Sequence, residues 1–280
     1  MKYQGVVAGI MTAMMLMLVS GGALAESAKC LSCHDKSEAM LSFFHDANGV
    51  QCTDCHGPST EHMDHPRTSP TVVFADDGDG DALNGKCLAC HNNSGRIHWQ
   101  SGAHGDANVA CVACHDVHVH KDKVLDPESQ VQVCTTCHKD VLAQLNFPTH
   151  HPVNEGKVAC SSCHNPHGST SDSLLVKSNV VDTCTTCHAE KRGPFLFEHD
   201  PVTENCDLCH TPHGSVLPSL LVARPPFLCQ QCHIAANHPS RMPDGTRLAV
   251  DDPNVMAKGC VSCHSQIHGS NDPSGARLTR

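Results

Sequence analysis

Ten copies of Cys-x-x-Cys-His use every one of the 20 cysteines of this chain and leave it little room for an ordinary fold. The motifs open at Cys30, Cys52, Cys87, Cys111, Cys134, Cys160, Cys184, Cys206, Cys229 and Cys260. Their second thiols are Cys33, Cys55, Cys90, Cys114, Cys137, Cys163, Cys187, Cys209, Cys232 and Cys263. A histidine follows each: His34, His56, His91, His115, His138, His164, His188, His210, His233 and His264. Disulfides could use an even number of cysteines in an exported chain, and structural zinc uses Cys-x-x-Cys pairs. Neither requires a His after every second Cys. The pattern is the attachment sequence of c-type haem, in which the thiols become thioethers and the His becomes the proximal iron ligand. It predicts ten haem c groups.

The amino terminus reads as a secretory signal over residues 1–25. Lys2 precedes an apolar stretch from Val6 to Val19, and Ala23-Leu24-Ala25 gives the small-residue cleavage pattern. The stretch is short for a membrane span, which takes ~20 residues. Export agrees with haem c attachment and places the mature chain in the periplasm. Roughly 25 mature residues then serve each haem. Aromatic side chains are scarce, with one Trp and one Tyr, so the porphyrins must supply the missing apolar mass. The expected fold is a multihaem cytochrome c: mostly coil with short α-helices wrapped around a haem stack, and essentially no sheet. The chain should be largely unfolded without haem, because a group bound only by the native state stabilises only that state. The net charge of −10 argues against nucleic acid, which needs a basic surface.

Successive motifs are 22, 35, 24, 23, 26, 24, 22, 23 and 31 residues apart. A steady period marks a repeated supersecondary unit. The unit holds two motifs, a middle His and a trailing His. Residues 184–215 and 134–169 are clear copies, and each is followed by Ser-Leu-Leu-Val, at residues 173–176 and 219–222. Residues 30–62, 87–118 and 229–268 are looser ones. Five two-haem units, or two pentahaem halves at residues 26–145 and 146–280, follow from the count, with the halves meeting near residues 139–159. The two long steps, residues 57–86 and 234–259, should be surface loops. The first carries the run Asp76-Asp77-Gly78-Asp79-Gly80-Asp81, which lacks the full register of a calcium loop and reads as a solvated turn. Helical spacing of apolar residues predicts short helices at 36–44 and 138–145.

Each iron needs a second axial ligand or an open face. The repeat selects His45, His62, His104, His118, His151, His167, His199, His213, His238 and His268 as distal ligands, two per unit. His65, His98, His120 and His150 are left as spares. His167 and His213 lie three residues after a proximal His, on the wrong side of that haem, and must reach a different one. The Gly after each lets the backbone turn tightly. Ten irons with both faces filled leave no place for substrate, which points to electron transfer rather than catalysis. No Cys-x-x-Cys-Lys variant, the mark of multihaem nitrite reductases, occurs.

The chain resembles the MtrA/DmsE family of periplasmic decahaem cytochromes, with their MtoA and PioA relatives. The resemblance covers the whole mature chain. It is closest at residues 184–194 and 198–206, at the ending Ser265-Gln266-Ile267-His268-Gly269-Ser270-Asn271, and at His151-Pro152. It implies a wire through the outer membrane, seated in a large MtrB-like β-barrel. Donors would be quinol-fed inner-membrane or periplasmic cytochromes. Acceptors would be an outer-surface multihaem cytochrome or reductase, and through it metal oxides or dimethyl sulfoxide. A freely diffusing periplasmic shuttle and a multihaem reductase with an open haem are the alternatives.

Overall fold

A computed structural model describes residues 27–34, 43–75, 79–233 and 259–279. Short helical turns joined by coil make up most of these residues. No described helix is long and apolar enough to cross a membrane. The helix expected at 138–145 forms as Lys139–Leu145. The expected helix at 36–44 lies mostly outside the described residues, where the adjoining helix is Phe43–Ala47. In the first long step the end of the acidic run starts a helix, Gly80–Leu88, with Asp79 Oδ1 accepting from Asp81 N–H. That helix carries Cys87 into the third motif. The second long step lies mostly outside the described residues.

Among the described residues, sheet is limited to β1, Thr149–His150, and β2, Gly214–Ser215, paired antiparallel with Thr149 opposite Ser215. Gly214 is required by close approach: a Cβ there would collide with the Gln144 carbonyl. Gly168, after His167, instead sits at φ +108°, where Gly is favoured. The tight-turn reading thus fits Gly168, and crowding explains Gly214.

Residue contacts divide the chain into Met1–Val133 and Cys134–Arg280. The division falls before the fifth motif, whose Cys134 lies beside Cys160 of the sixth.

Neither unit holds an ordinary core. The buried apolar residues described are Leu83, Trp99 and Ala110 in the first unit, and Leu145, Val153, Ala159 and Leu217 in the second. As many polar residues are buried, and they work as clips. Asn84 holds the backbone at Val109 and Cys111, Gln130 donates to the Val124 carbonyl, and Ser215 donates to the Leu221 carbonyl.

Candidate haem-binding sites

Each motif closes a single helical turn. In nine of them the His N–H bonds the carbonyl of the first Cys at 2.8–3.1 Å, and the N–H of the second Cys reaches the same carbonyl at 3.1–3.4 Å. The remaining motif is itself the helix Cys52–His56. Residues three and four apart share one face of a helical turn. The spacing therefore puts two sulfurs and one imidazole on one face, as a group bonded twice at its edge and once at its centre requires. Side-chain caps set some of these turns. Asn179 caps the helix Val180–Cys184 by accepting from Asp182 N–H, and Asn205 caps Cys206–Leu208 by accepting from Asp207 N–H.

Among the described residues, seven pairs place a motif histidine opposite a second imidazole. The pairs in the first unit are His34–His62 at 6.0 Å between ring centroids, His56–His118 at 6.1 Å and His91–His45 at 5.9 Å. In the second unit they are His164–His213 at 6.0 Å, His188–His151 at 6.3 Å, His210–His268 at 6.1 Å and His233–His199 at 6.0 Å. Ring packing alone allows such distances, since aromatic centroids pack at ~4.5–7 Å. The angles decide against it. They run from 14° to 87° while the separation stays within 5.9–6.3 Å. A fixed gap with a free angle is what one atom bonded to both rings imposes, at about 2 Å per metal–nitrogen bond. Two imidazoles are half of the four ligands of structural zinc; a haem held between them would need no further ligand from the protein.

Second hydrogen bonds aim the rings. The Nδ1–H groups donate to main-chain carbonyls: His56 to Val72, His62 to Thr68, His151 to Pro212, His164 to Ser173, His199 to Ile267, His210 to Ser219 and His264 to Arg277. That bond fixes the tautomer and leaves the Nε2 lone pair free for a metal. Burial pushes His91, His213 and His268 down, keeping the neutral form that a metal takes.

The facing partners follow a rule that the sequence did not disclose. The third, seventh and ninth motifs each take the middle His of the preceding unit: His45, His151 and His199. The second, sixth and eighth take the trailing His of the next unit: His118, His213 and His268. The first takes His62, from its own unit. His104 and His167 also have partners, and His238 lies outside the described residues. His150 is held by the Phe147 carbonyl and Glu155, while its neighbour His151 faces a motif.

Motifs adjacent in sequence also touch through their sulfurs. Cys87 lies beside Cys111, Cys134 beside Cys160, Cys184 beside Cys206 and Cys229 beside Cys260. The first of each motif pair thus lies against the first of the other. Second cysteines meet between pairs, Cys163 near Cys187 and Cys209 near Cys232.

Sequence reasoning missed the part played by Ser-Leu-Leu-Val. Ser173 and Leu174, like Ser219 and Leu220, have φ between +53° and +58°. This left-handed kink turns the Ser carbonyl back onto His164 or His210. Asn165 N–H then bonds Leu174, and Thr211 N–H bonds Leu220. The exact repetition of the segment was the available signal.

The turns, sulfur pairs and facing imidazoles are those of a multihaem c-type cytochrome. A family model for the doubled CXXCH motif matches residues 150–193 and 199–238. The chain is 44% identical over 268 residues to the multiheme cytochrome MtrA of Shewanella baltica (strain OS185), covering 90% of this chain and 80% of that one. It is 28% identical over 137 residues to the cytochrome c-type protein NrfB of Escherichia coli O6:H1 (strain CFT073), covering 43% of this chain and 69% of that one. The chain belongs to the MtrA family of multihaem cytochromes, and it is an electron-transfer protein carrying haem c.

Proposed function

We propose that the mature protein is a periplasmic decahaem wire that carries electrons across the outer membrane inside an MtrB-like β-barrel. The signal over residues 1–25 is removed on export. Ten haems are attached, one per motif, with the proximal and distal histidines named from the sequence as axial ligands. The donors are quinol-fed inner-membrane or periplasmic cytochromes. An outer-surface cytochrome or reductase takes the electrons onward, to metal oxides or dimethyl sulfoxide.

The observation that carries this reading is the set of seven facing imidazole pairs. An iron bonded on both faces exchanges electrons and binds no substrate. The sulfur contacts between successive motifs support haems lined up in sequence order within each unit. Electron transfer falls steeply with distance, so such a line favours passage from one haem to the next. The barrel rests on family membership. It would provide the lipid-facing surface.

The test uses liposomes enclosing a redox dye, with a reductant outside that cannot cross. Protein together with its barrel should discharge the dye quickly, and protein alone should not. Equal rates without the barrel, or no transfer with it, leave the soluble shuttle. Stoichiometric carbon monoxide binding to one reduced haem would instead favour a reductase.

A further inference from the structure

We propose that Asp122 holds the haem of the fourth motif at a lower potential than the haems whose histidines bond main-chain carbonyls. The proposal rests on a haem being attached at Cys111 and Cys114. His115 Nδ1 donates to Asp122 Oδ2 at 2.8 Å. In the seven other imidazoles whose Nδ1 bond is described above, the acceptor is a neutral carbonyl. A carboxylate in that place makes the imidazole a stronger donor to the metal. Its charge also stabilises the ferric iron over the ferrous. Both effects lower the reduction potential.

The surroundings strengthen the effect. The Asp122 side chain is only 10% exposed, so water screens it little. Its other oxygen accepts from Val124 N–H at 3.2 Å and caps the turn Lys123–Leu125, which fixes the carboxylate in place. The adjacent cation, Lys121, is engaged with Asp126 at 2.6 Å. Among the described residues, another acid near a motif Nδ1 is Glu190, at 3.9 Å from His188. That is beyond hydrogen-bond reach. The sequence after the fourth motif lacks Ser-Leu-Leu-Val, and Asp122 occupies the role that the Ser carbonyl fills after the sixth and eighth. Asp122 is therefore a positioning residue that also carries charge.

The test is a potentiometric titration of the fully matured protein, followed by optical and electron paramagnetic resonance spectra. Haem at the Cys111–Cys114 peptide is first verified by mass spectrometry. Absence of haem there overturns the ten-haem reading as well as this one. With haem present, Asp122→Asn should raise the potential of one haem by at least a tenfold change in its one-electron equilibrium, or 59 mV, and leave it low-spin. Asp122→Glu, which keeps the charge, should stay near the parent. A titration of Asp122→Asn that superimposes on the parent overturns the proposal, as does an equal rise in both variants. Should Asp122→Asn lose the haem, Asp122→Ser is the second variant, because it keeps a turn cap and drops the charge. Haem loss there too makes Asp122 a scaffold residue and also overturns the proposal.

Discussion

Asn84 Oδ1 accepts a 2.7 Å hydrogen bond from the Cys111 N–H, tying the helix that delivers the third motif to the first residue of the fourth. The same side chain donates to the Val109 carbonyl at 2.9 Å and is 2% exposed. Asn84→Ala leaves both main-chain groups unpaired, at about 1–3 kcal/mol for each buried one. Thermal unfolding of the mature protein should show a lowered midpoint. An unchanged midpoint would mean that the clip is redundant.

His199 joins two parts of the second unit. Its ring faces His233, and its Nδ1–H bonds the Ile267 carbonyl. His199→Ala should open the ninth haem while both thioethers stay attached. One new high-spin haem and a shifted potential are expected. A wholly low-spin spectrum would remove His199 from the ligand set. His98→Ala is the contrast and should leave all spectra unchanged, since His98 is a spare in the repeat.

The kink at Ser219 offers a stability test. Its φ of +56° costs an ordinary residue roughly 1–2 kcal/mol. Ser219→Gly should be close to neutral, because relief of that cost is offset by the ~0.5–1 kcal/mol entropic penalty of Gly. Ser219→Val should be clearly destabilising and should weaken the bond from His210. Denaturation midpoints of the two variants check the order, and the reverse order would refute it.

Haem-free chain, expressed without the attachment machinery, should give the far-ultraviolet circular dichroism of a disordered polypeptide and be cut rapidly by protease. The few buried apolar side chains described cannot offset the conformational entropy of so long a chain. Protease resistance of the haem-free protein would show that the polypeptide has a core of its own.

Much of this architecture was legible in the sequence because its chemistry is local. Cys and His at i, i+3 and i+4 specify the single turn, and the shortage of aromatics specifies coil around a bulky cofactor. The partner of each motif His was not legible. His56 faces His118 and His210 faces His268, and separations of that kind are set by how successive units pack, which no local pattern encodes. The carbonyl acceptors were hidden for a different reason. The main chain at Ser173 carries no side-chain mark of the direction in which its oxygen points. Asp122 stood in plain view, but its burial and its 2.8 Å bond to His115, neither written in the sequence, separate it from the other acids.

The borrowing of imidazoles from later in the chain has a consequence for how the molecule is made. A secreted polypeptide emerges amino-terminus first. The second motif is already outside while His118, which faces its His56, is still on the far side of the inner membrane. The sixth waits in the same way for His213, and the eighth for His268. In the proposed ligand set, an iron attached to one of these motifs would keep one vacant face until a later length of chain arrived, and assembly would run as a relay in which each new stretch seals an earlier cofactor. The span between two facing histidines thus sets how long a reactive five-coordinate iron meets the periplasm.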